Sequence, residues 1–331
     1  MLKKIRFSKM VILFLILAIL IGGLILLNSY QVDNNSGSEP LFVLIPKTLN
    51  PENDFWATLI GGAKMGANDF EVELVVLGVY SEDDIEGQNQ KILEAIGMEP
   101  AVILLAASSA TETIPYIRKA VEAGIEVILV DSGVDEEIGS GIVSTNNVEI
   151  GQKLSDYARG FLNEDSRIGI IGPVQEAATA IERERGIREG LREYEENIVT
   201  VVYGGFDYAR AYELTRQMIT EHPEINVIFG MNEDSAVGAA RAIQGLEMAE
   251  EMMLFGVDNS LEQVQFLERG VFQAIVIQKP ANMGYLSVEL GVQVLAGRSQ
   301  NERIDTGSVL INQDNMHLRE SQQLLFPLPG Q

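Results

Sequence analysis

Ile128-Leu129-Val130-Asp131-Ser132 and Phe255-Gly256-Val257-Asp258-Asn259 are the two stretches that decide the fold. Each is a continuous apolar run that stops at an aspartate. Runs of this kind are expected of strands buried on both faces of a parallel sheet. In open α/β sheets, ligands bind outside the carboxyl ends of the strands. The same ending in each half of the chain therefore predicts two similar domains that face each other, with Asp131 and Asp258 on opposite walls of a shared cleft. One aspartate alone could simply cap the turn or helix that follows it; the repetition favours ligand contact.

Working outward, the first half adds strand-like runs at Leu41–Ile45, Glu73–Leu77 and Val102–Ala106, and the second adds Ile168–Ile171, Val199–Tyr203 and Val227–Phe229. Amphipathic stretches lie between them, among them Phe55–Asn68, Thr113–Ala123, Ile150–Phe161, Ala209–Glu221 and Ser235–Gln244. Strand and helix in alternation predict an α/β chain of two doubly wound parallel-sheet domains. A length of 331 residues suits about two domains, and 46% apolar residues supply two cores.

The amino terminus reads differently. Lys3, Lys4, Arg6 and Lys9 precede Met10–Leu27, a run without charge and nearly all large and apolar. As a helix it would rise about 27 Å, close to the hydrocarbon thickness of a bilayer. The basic flank should remain in the cytoplasm, which puts everything after Tyr30 outside. A cleaved secretory signal is the alternative, but Leu26–Tyr30 offers no good small-x-small cleavage site. Residues 1–30 are thus expected to be a membrane anchor or signal, and 31–40 a short polar linker.

Composition excludes several chemistries. The net charge is −24, and removing the four basic charges of the first segment leaves −28 on the rest. So acidic a body repels phosphate backbones, so no nucleic-acid partner is expected. The absence of cysteine rules out disulfides, thiolate metal sites and thiol nucleophiles. Ile45 leads into Pro46-Lys47-Thr48-Leu49-Asn50, not a glycine-rich dinucleotide turn, and neither a phosphate-binding loop nor a nucleophile elbow occurs. The two histidines, His222 and His317, stand apart. Neither an enzyme, a cofactor nor a metal site is expected.

From Leu41 to about Gln313 the chain resembles the type I periplasmic binding proteins, the ribose, galactose and xylose branch that shares its core with LacI-type repressors. The resemblance rests on several pieces in order: Thr48-Leu49-Asn50 before Phe55-Trp56-Ala57-Thr58-Leu59, Ile128–Asp131, Ser144-Thr145-Asn146-Asn147, Arg183-Glu184-Arg185-Gly186-Ile187, Gly205-Phe206-Asp207, His222-Pro223 leading to Met231-Asn232-Glu233-Asp234, and Gly256-Val257-Asp258 with Ile277-Gln278. It implies three interdomain crossings, near Thr145–Asn146, Gln278–Lys279 and Thr306–Ser308. The lobes would then be 41–145 with 279–307, and 146–278 with 308–331.

The resemblance also implies a sugar site. Phe55, Trp56 and Phe206 match positions whose aromatic faces pack on a sugar ring, and Asp131, Arg183, Asn232, Asp258 and Gln278 match partners of the hydroxyl rim. Read without it, Arg183 could belong to a charged helix face, Asn232 to an Asx-turn and the aromatics to the core. The chain departs from the ribose pattern at Ser132, where that pattern has arginine, and at Ala106, where it has asparagine. One extra residue in Asn50–Phe55 leaves Asn53 or Asp54 to take the place of a family asparagine. A sugar other than ribose is therefore expected. The partner would be the permease of an ABC importer or a sensor histidine kinase. A non-sugar polar ligand, or an α/β enzyme acting on a small polyol, is the alternative.

Overall fold

The structure, a computed structural model, describes residues 39–51 and 53–326. The apolar run Met10–Leu27 and most of the linker lie outside the described residues. Among the described residues no helix is long and apolar enough to cross a membrane.

From Leu41 the chain alternates β1 (Leu41–Ile45), α1 (Asp54–Asp69), β2 (Glu73–Val76), α2 (Ile85–Gly97), β3 (Val102–Leu105), α3 (Ile114–Glu122), β4 (Glu126–Val130) and β5 (Gly141–Ser144). The second series is α4 (Asn147–Ala158), β6 (Ile168–Gly172), α5 (Ala178–Gly190), β7 (Ile198–Tyr203), α6 (Tyr208–Glu221), β8 (Val227–Gly230), α7 (Glu233–Gly245), β9 (Met253–Val257), α8 (Leu261–Glu268) and β10 (Phe272–Ile277). The chain then runs through α9 (Pro280–Leu295), β11 (Glu302–Asp305), β12 (Val309–Ile311) and α10 (Arg319–Leu325).

Two six-stranded sheets result, ordered β11-β5-β4-β3-β1-β2 and β12-β10-β9-β8-β6-β7. The chain passes from one sheet to the other between β5 and α4, between β10 and α9, and between β11 and β12. All pairings of the first sheet are parallel. The second departs from the expected purely parallel sheet, because β12 pairs antiparallel with β10. The cause is the route. β11 runs toward the cleft with its parallel neighbours, so the chain enters the second lobe from the cleft side and must run away from it.

The uninterrupted apolar character of the strands follows from covering both sheet faces. With a side-chain period of two, Ile128 and Val130 of β4 join Phe42 and Leu44 beneath α1 and α9. Val127 and Leu129 join Val43 and Ile45 on the opposite face. The second sheet is sandwiched in the same way.

Glycine contacts fix one helix pair on each sheet. A Cβ on Gly62 of α1 would lie 1.9 Å from the carbonyl oxygen of Ala281, and one on Gly284 of α9 would lie 2.0 Å from that of Leu59. In the second lobe, Gly151 of α4 and Gly186 of α5 meet the backbones of Arg183 and Val148 as closely, at 2.2 and 2.1 Å.

Candidate functional site

Asp131 and Asp258, the residues that end β4 and β9, share an unusual backbone. Both lie in the left-handed region, at φ 62° and φ 69°. This is uncommon for residues with a Cβ and costs roughly 1–3 kcal/mol. Each N–H still donates to the adjacent strand, Asp131 to the Val143 carbonyl and Asp258 to that of Val276, both at 2.9 Å. The strand thus keeps its pairing while the chain turns. Neither side chain caps a helix: Asn146 is the cap of α4 and Ser260 that of α8.

The two carboxylates line one cavity between the lobes. The first lobe contributes Lys47, Asn53, Phe55, Trp56 and Glu82 beside Asp131. The second contributes Pro173, Thr179, Arg183, Phe206, Asn232, Glu233 and Asp234 beside Asp258 and Gln278. All eight side chains singled out from the sequence therefore converge here.

Their environments differ. Phe55 and Trp56 open α1 and pack edge to face with centroids 5.0 Å apart. Trp56 belongs to the core of its lobe as well as to the cavity wall, and its Nε1 donates to Glu82 Oε1 at 2.5 Å. Phe206 comes from the loop before α6 and is half-buried. Arg183 is the one residue of Glu182–Arg185 that turns fully inward, 3% exposed. Its Nε donates to Asn147 Oδ1 at 2.9 Å and its Nη1 to the Met231 carbonyl at 2.7 Å, with Asp258 Oδ2 3.7 Å away. Gln278 Nε2 donates to Asp258 Oδ1 at 2.6 Å. Asn232 performs the turn duty that its position suggests: it caps α7 by accepting from the Ser235 N–H, and donates to Asp234 Oδ2. Of the two candidates in the preceding loop, Asn53 is buried against the cavity and caps α1, while Asp54 is exposed.

Lys47 and Glu82 were missed in the sequence. Lys47 follows β1 at its carboxyl end, so the strand-end rule that found Asp131 could have found it. Its ammonium is 3.5 Å from Asp131 Oδ2, and Ser132 Oγ donates to that same oxygen at 2.7 Å. A lysine that follows β1, two strands away from β4, thus supplies a cation beside Asp131, next to the departure at Ser132. Glu82 lies in Ser81-Glu82-Asp83-Asp84, which reads as an ordinary acidic turn. Glu233 and Asp234 read as helix-opening acids, yet both are buried.

Burial sets the protonation of these groups. It pushes the Glu82 carboxyl up to about 8, against the opposing pull of Lys47 and of the Trp56 hydrogen bond. It also raises Asp234 to about 7 and places Glu233 well above the ordinary range. Asp258 is raised by burial too, with Arg183 and Gln278 acting against the rise. Carboxyls whose affinity for protons rises on folding stabilise the native state below their unfolded pKa and lose that contribution as pH climbs through the folded one. The melting temperature of the ligand-free chain is therefore expected to fall between about pH 5 and about pH 8.5, and Glu82→Gln to flatten the upper part of that fall. A wild-type curve flat across this interval would contradict the assignment.

Among the described residues no group of three or more acids or histidines is arranged to hold a metal ion.

A family model of the periplasmic binding protein domain matches residues 42–299. The D-ribose/D-allose-binding protein of Pseudomonas aeruginosa is 24% identical over 275 residues, covering 81% of this chain and 86% of its own length. The ribose import binding protein of Salmonella typhimurium is 25% identical over 269 residues, 81% of this chain and 89% of its own. Among solved structures, a sugar transporter from Clostridium phytofermentans is 35% identical with a TM-score of 0.79, over 83% of this chain and 99% of its own. A carbohydrate transporter solute-binding protein from Agrobacterium radiobacter, solved with D-arabinose, shares the fold at 22% identity and a TM-score of 0.82, over 88% of this chain and 100% of its own.

Proposed function

Since the chain belongs to the periplasmic binding protein family, we propose that it is an extracytoplasmic receptor that closes its two lobes around one monosaccharide. It is a binding protein and not an enzyme. The observation that carries the sugar reading is the make-up of the cavity wall. Aromatic side chains from both lobes stand among buried carboxylates, amides and two cations. A sugar ring offers C–H groups on its faces and hydroxyls around its rim. Flat apolar rings suit the first, and charged or amide partners the second. Hydrogen bonds to charged groups are worth about 1.5–3 kcal/mol net, and a site built for hydroxyls rejects analogues that lack them. The relatives point the same way, since their names specify ribose and allose and one was solved with D-arabinose.

In this reading Phe55, Trp56 and Phe206 pack on the ring, while Asp131, Arg183, Asn232, Asp258 and Gln278 hold the rim. Lys47 and Glu82 rebuild the first-lobe wall that Ser132 and Ala106 change, so the ligand is a sugar other than ribose. The three interlobe passages serve as a hinge, and only a ligand that prefers the closed form shifts the population toward it. The segment Met10–Leu27 tethers the receptor, and the closed form docks on the permease of an ABC importer, as the import and transport names of the relatives suggest. A fixed tether also suits a receptor that reports to a neighbouring sensor kinase.

A sugar panel titrated against residues 38–331 tests this, following Trp56 fluorescence, melting temperature and small-angle scattering together. One sugar should raise the melting temperature, change the fluorescence and compact the particle. Silence across pentoses, hexoses and inositols would sink the sugar reading. Stabilisation without compaction would sink the hinge.

A further inference from the structure

We propose that the ligand of this cavity carries an ammonium group, making it an amino sugar, and that Glu82, Glu233 and Asp234 form the corner that receives the amine. The inference rests on the sugar reading above and narrows it.

Among the described residues, Glu82, Asp131, Glu233, Asp234 and Asp258 line the cavity against only Lys47 and Arg183. Both cations are already engaged. Lys47 stands by Asp131, and Arg183 is hydrogen-bonded to Asn147 and Met231 near Asp258. No cation is engaged with Glu233 or Asp234. Without a countercharge such buried carboxyls hold their protons rather than ionise, and a cationic ligand supplies the countercharge that lets them ionise.

Several donors are turned onto the protein itself: Trp56 Nε1 to Glu82, Gln278 Nε2 to Asp258, Asn232 Nδ2 to Asp234 and the neighbouring Tyr208 hydroxyl to Glu233 Oε1. The buried cavity-wall atoms left without a partner are Glu233 Oε2 and Gln278 Oε1. Both are acceptors. Their side chains are only 2% and 3% exposed, so bulk water does not serve them. A hydroxyl brings one donor along with lone pairs that themselves need donors. An ammonium brings three donors and no acceptor. An ammonium supplies donors to such acceptors and has no lone pairs of its own to satisfy.

Protonation gives a separate readout. Burial holds Glu82, Glu233 and Asp234 above the ordinary carboxylate range, so in the ligand-free chain the corner retains protons. The charges acting on it are Lys47 and Asp131 from the first lobe, and Asp54, Asp207 and Asp258 around Glu233 and Asp234. An arriving ammonium displaces those protons into the buffer, whereas a hydroxyl does not.

The test uses matched pairs that differ by one group. D-glucosamine, D-galactosamine, D-mannosamine, 3-amino-3-deoxy-D-glucose and 6-amino-6-deoxy-D-glucose are each titrated calorimetrically beside the parent sugar. Two buffers of different ionisation enthalpy are used. In at least one pair the amine should bind about tenfold tighter or more, the difference between a charged and a neutral hydrogen bond. Binding should release protons, and N-acetylation or Glu233→Gln should erase the advantage. Parents that bind as well as their amines in every pair overturn the inference and leave the sugar reading standing. An amine preference that survives Glu233→Gln overturns the corner. If neither member of any pair binds and the wider panel is also silent, the sugar reading falls and this inference with it.

Discussion

Arg183→Met is expected to destabilise the ligand-free chain by about 3–5 kcal/mol and to abolish ligand-induced stabilisation. The guanidinium joins three elements of the second lobe: Asn147 on α4, the Met231 carbonyl just past β8, and Asp258 at the end of β9. Removing it strands two buried acceptors and leaves Asp258, itself buried, without its nearest cation. Breaking a buried charge pair from one side carries that full cost, whereas the net worth of the intact pair is much smaller. Arg183→Lys separates the contributions, because a lysine keeps the charge but cannot hold Asn147 and Met231 in one planar fork. It should recover part of the stability and little of the binding. Urea unfolding with the wild type as reference measures the first, and sugar titration the second. A methionine variant within about 1 kcal/mol of wild type that still bound ligand would place Arg183 outside both roles.

The second large effect is expected from two adjacent glycines that should respond with opposite signs. Gly61 and Gly62 both lie in α1. A Cβ at Gly61 meets nothing within 4 Å, while one at Gly62 lands 1.9 Å from the Ala281 carbonyl of α9. Gly61→Ala removes backbone freedom from the unfolded chain and favours the helix, a gain of roughly 0.5–1 kcal/mol. Gly62→Ala must push a backbone away, because no flexible side chain is there to give, and should cost about 3 kcal/mol, the upper end of overpacking losses. Thermal or urea unfolding of the two single variants is sufficient. Similar behaviour in both would mean that α1 and α9 do not approach as closely as the glycines require.

Eight of the twelve sheet strands were legible because covering both faces of a sheet writes a continuous apolar run into the sequence. The eight runs chosen this way are all strands, with no end displaced by more than two residues and Leu41–Ile45 matched at both ends. β5, β10, β11 and β12 were not among the runs chosen, β12 being the shortest strand. Three residues are too few for a periodicity, and its antiparallel sense comes from the chain's route between lobes. Asp131 and Asp258 stood out through repetition, although nothing about an aspartate announces a left-handed backbone. Arg183 shows the limit of composition: flanked by Glu182, Glu184 and Arg185, it has the sequence of a solvated helix face, and only the rotation of α5 against the sheet turns it inward. Glu82, Glu233 and Asp234 were hidden for the same reason. Acids in a turn or at a helix start are ordinarily exposed, and these are buried by tertiary partners such as Trp56 against Glu82 and Tyr208 against Glu233.

The three passages between lobes also bear on how the chain is made. Neither lobe is a continuous length of polypeptide. The first sheet awaits β11, which ends at Asp305, and the second awaits β12, which ends at Ile311. Leu325, seated in the second core, arrives later still. A ribosome that has delivered all of β1 to β10 has therefore completed neither sheet, and the edges left open pair with segments distant in sequence. Contacts of such long range slow folding. Completion of both lobes is thus postponed until β11 and β12 have been made.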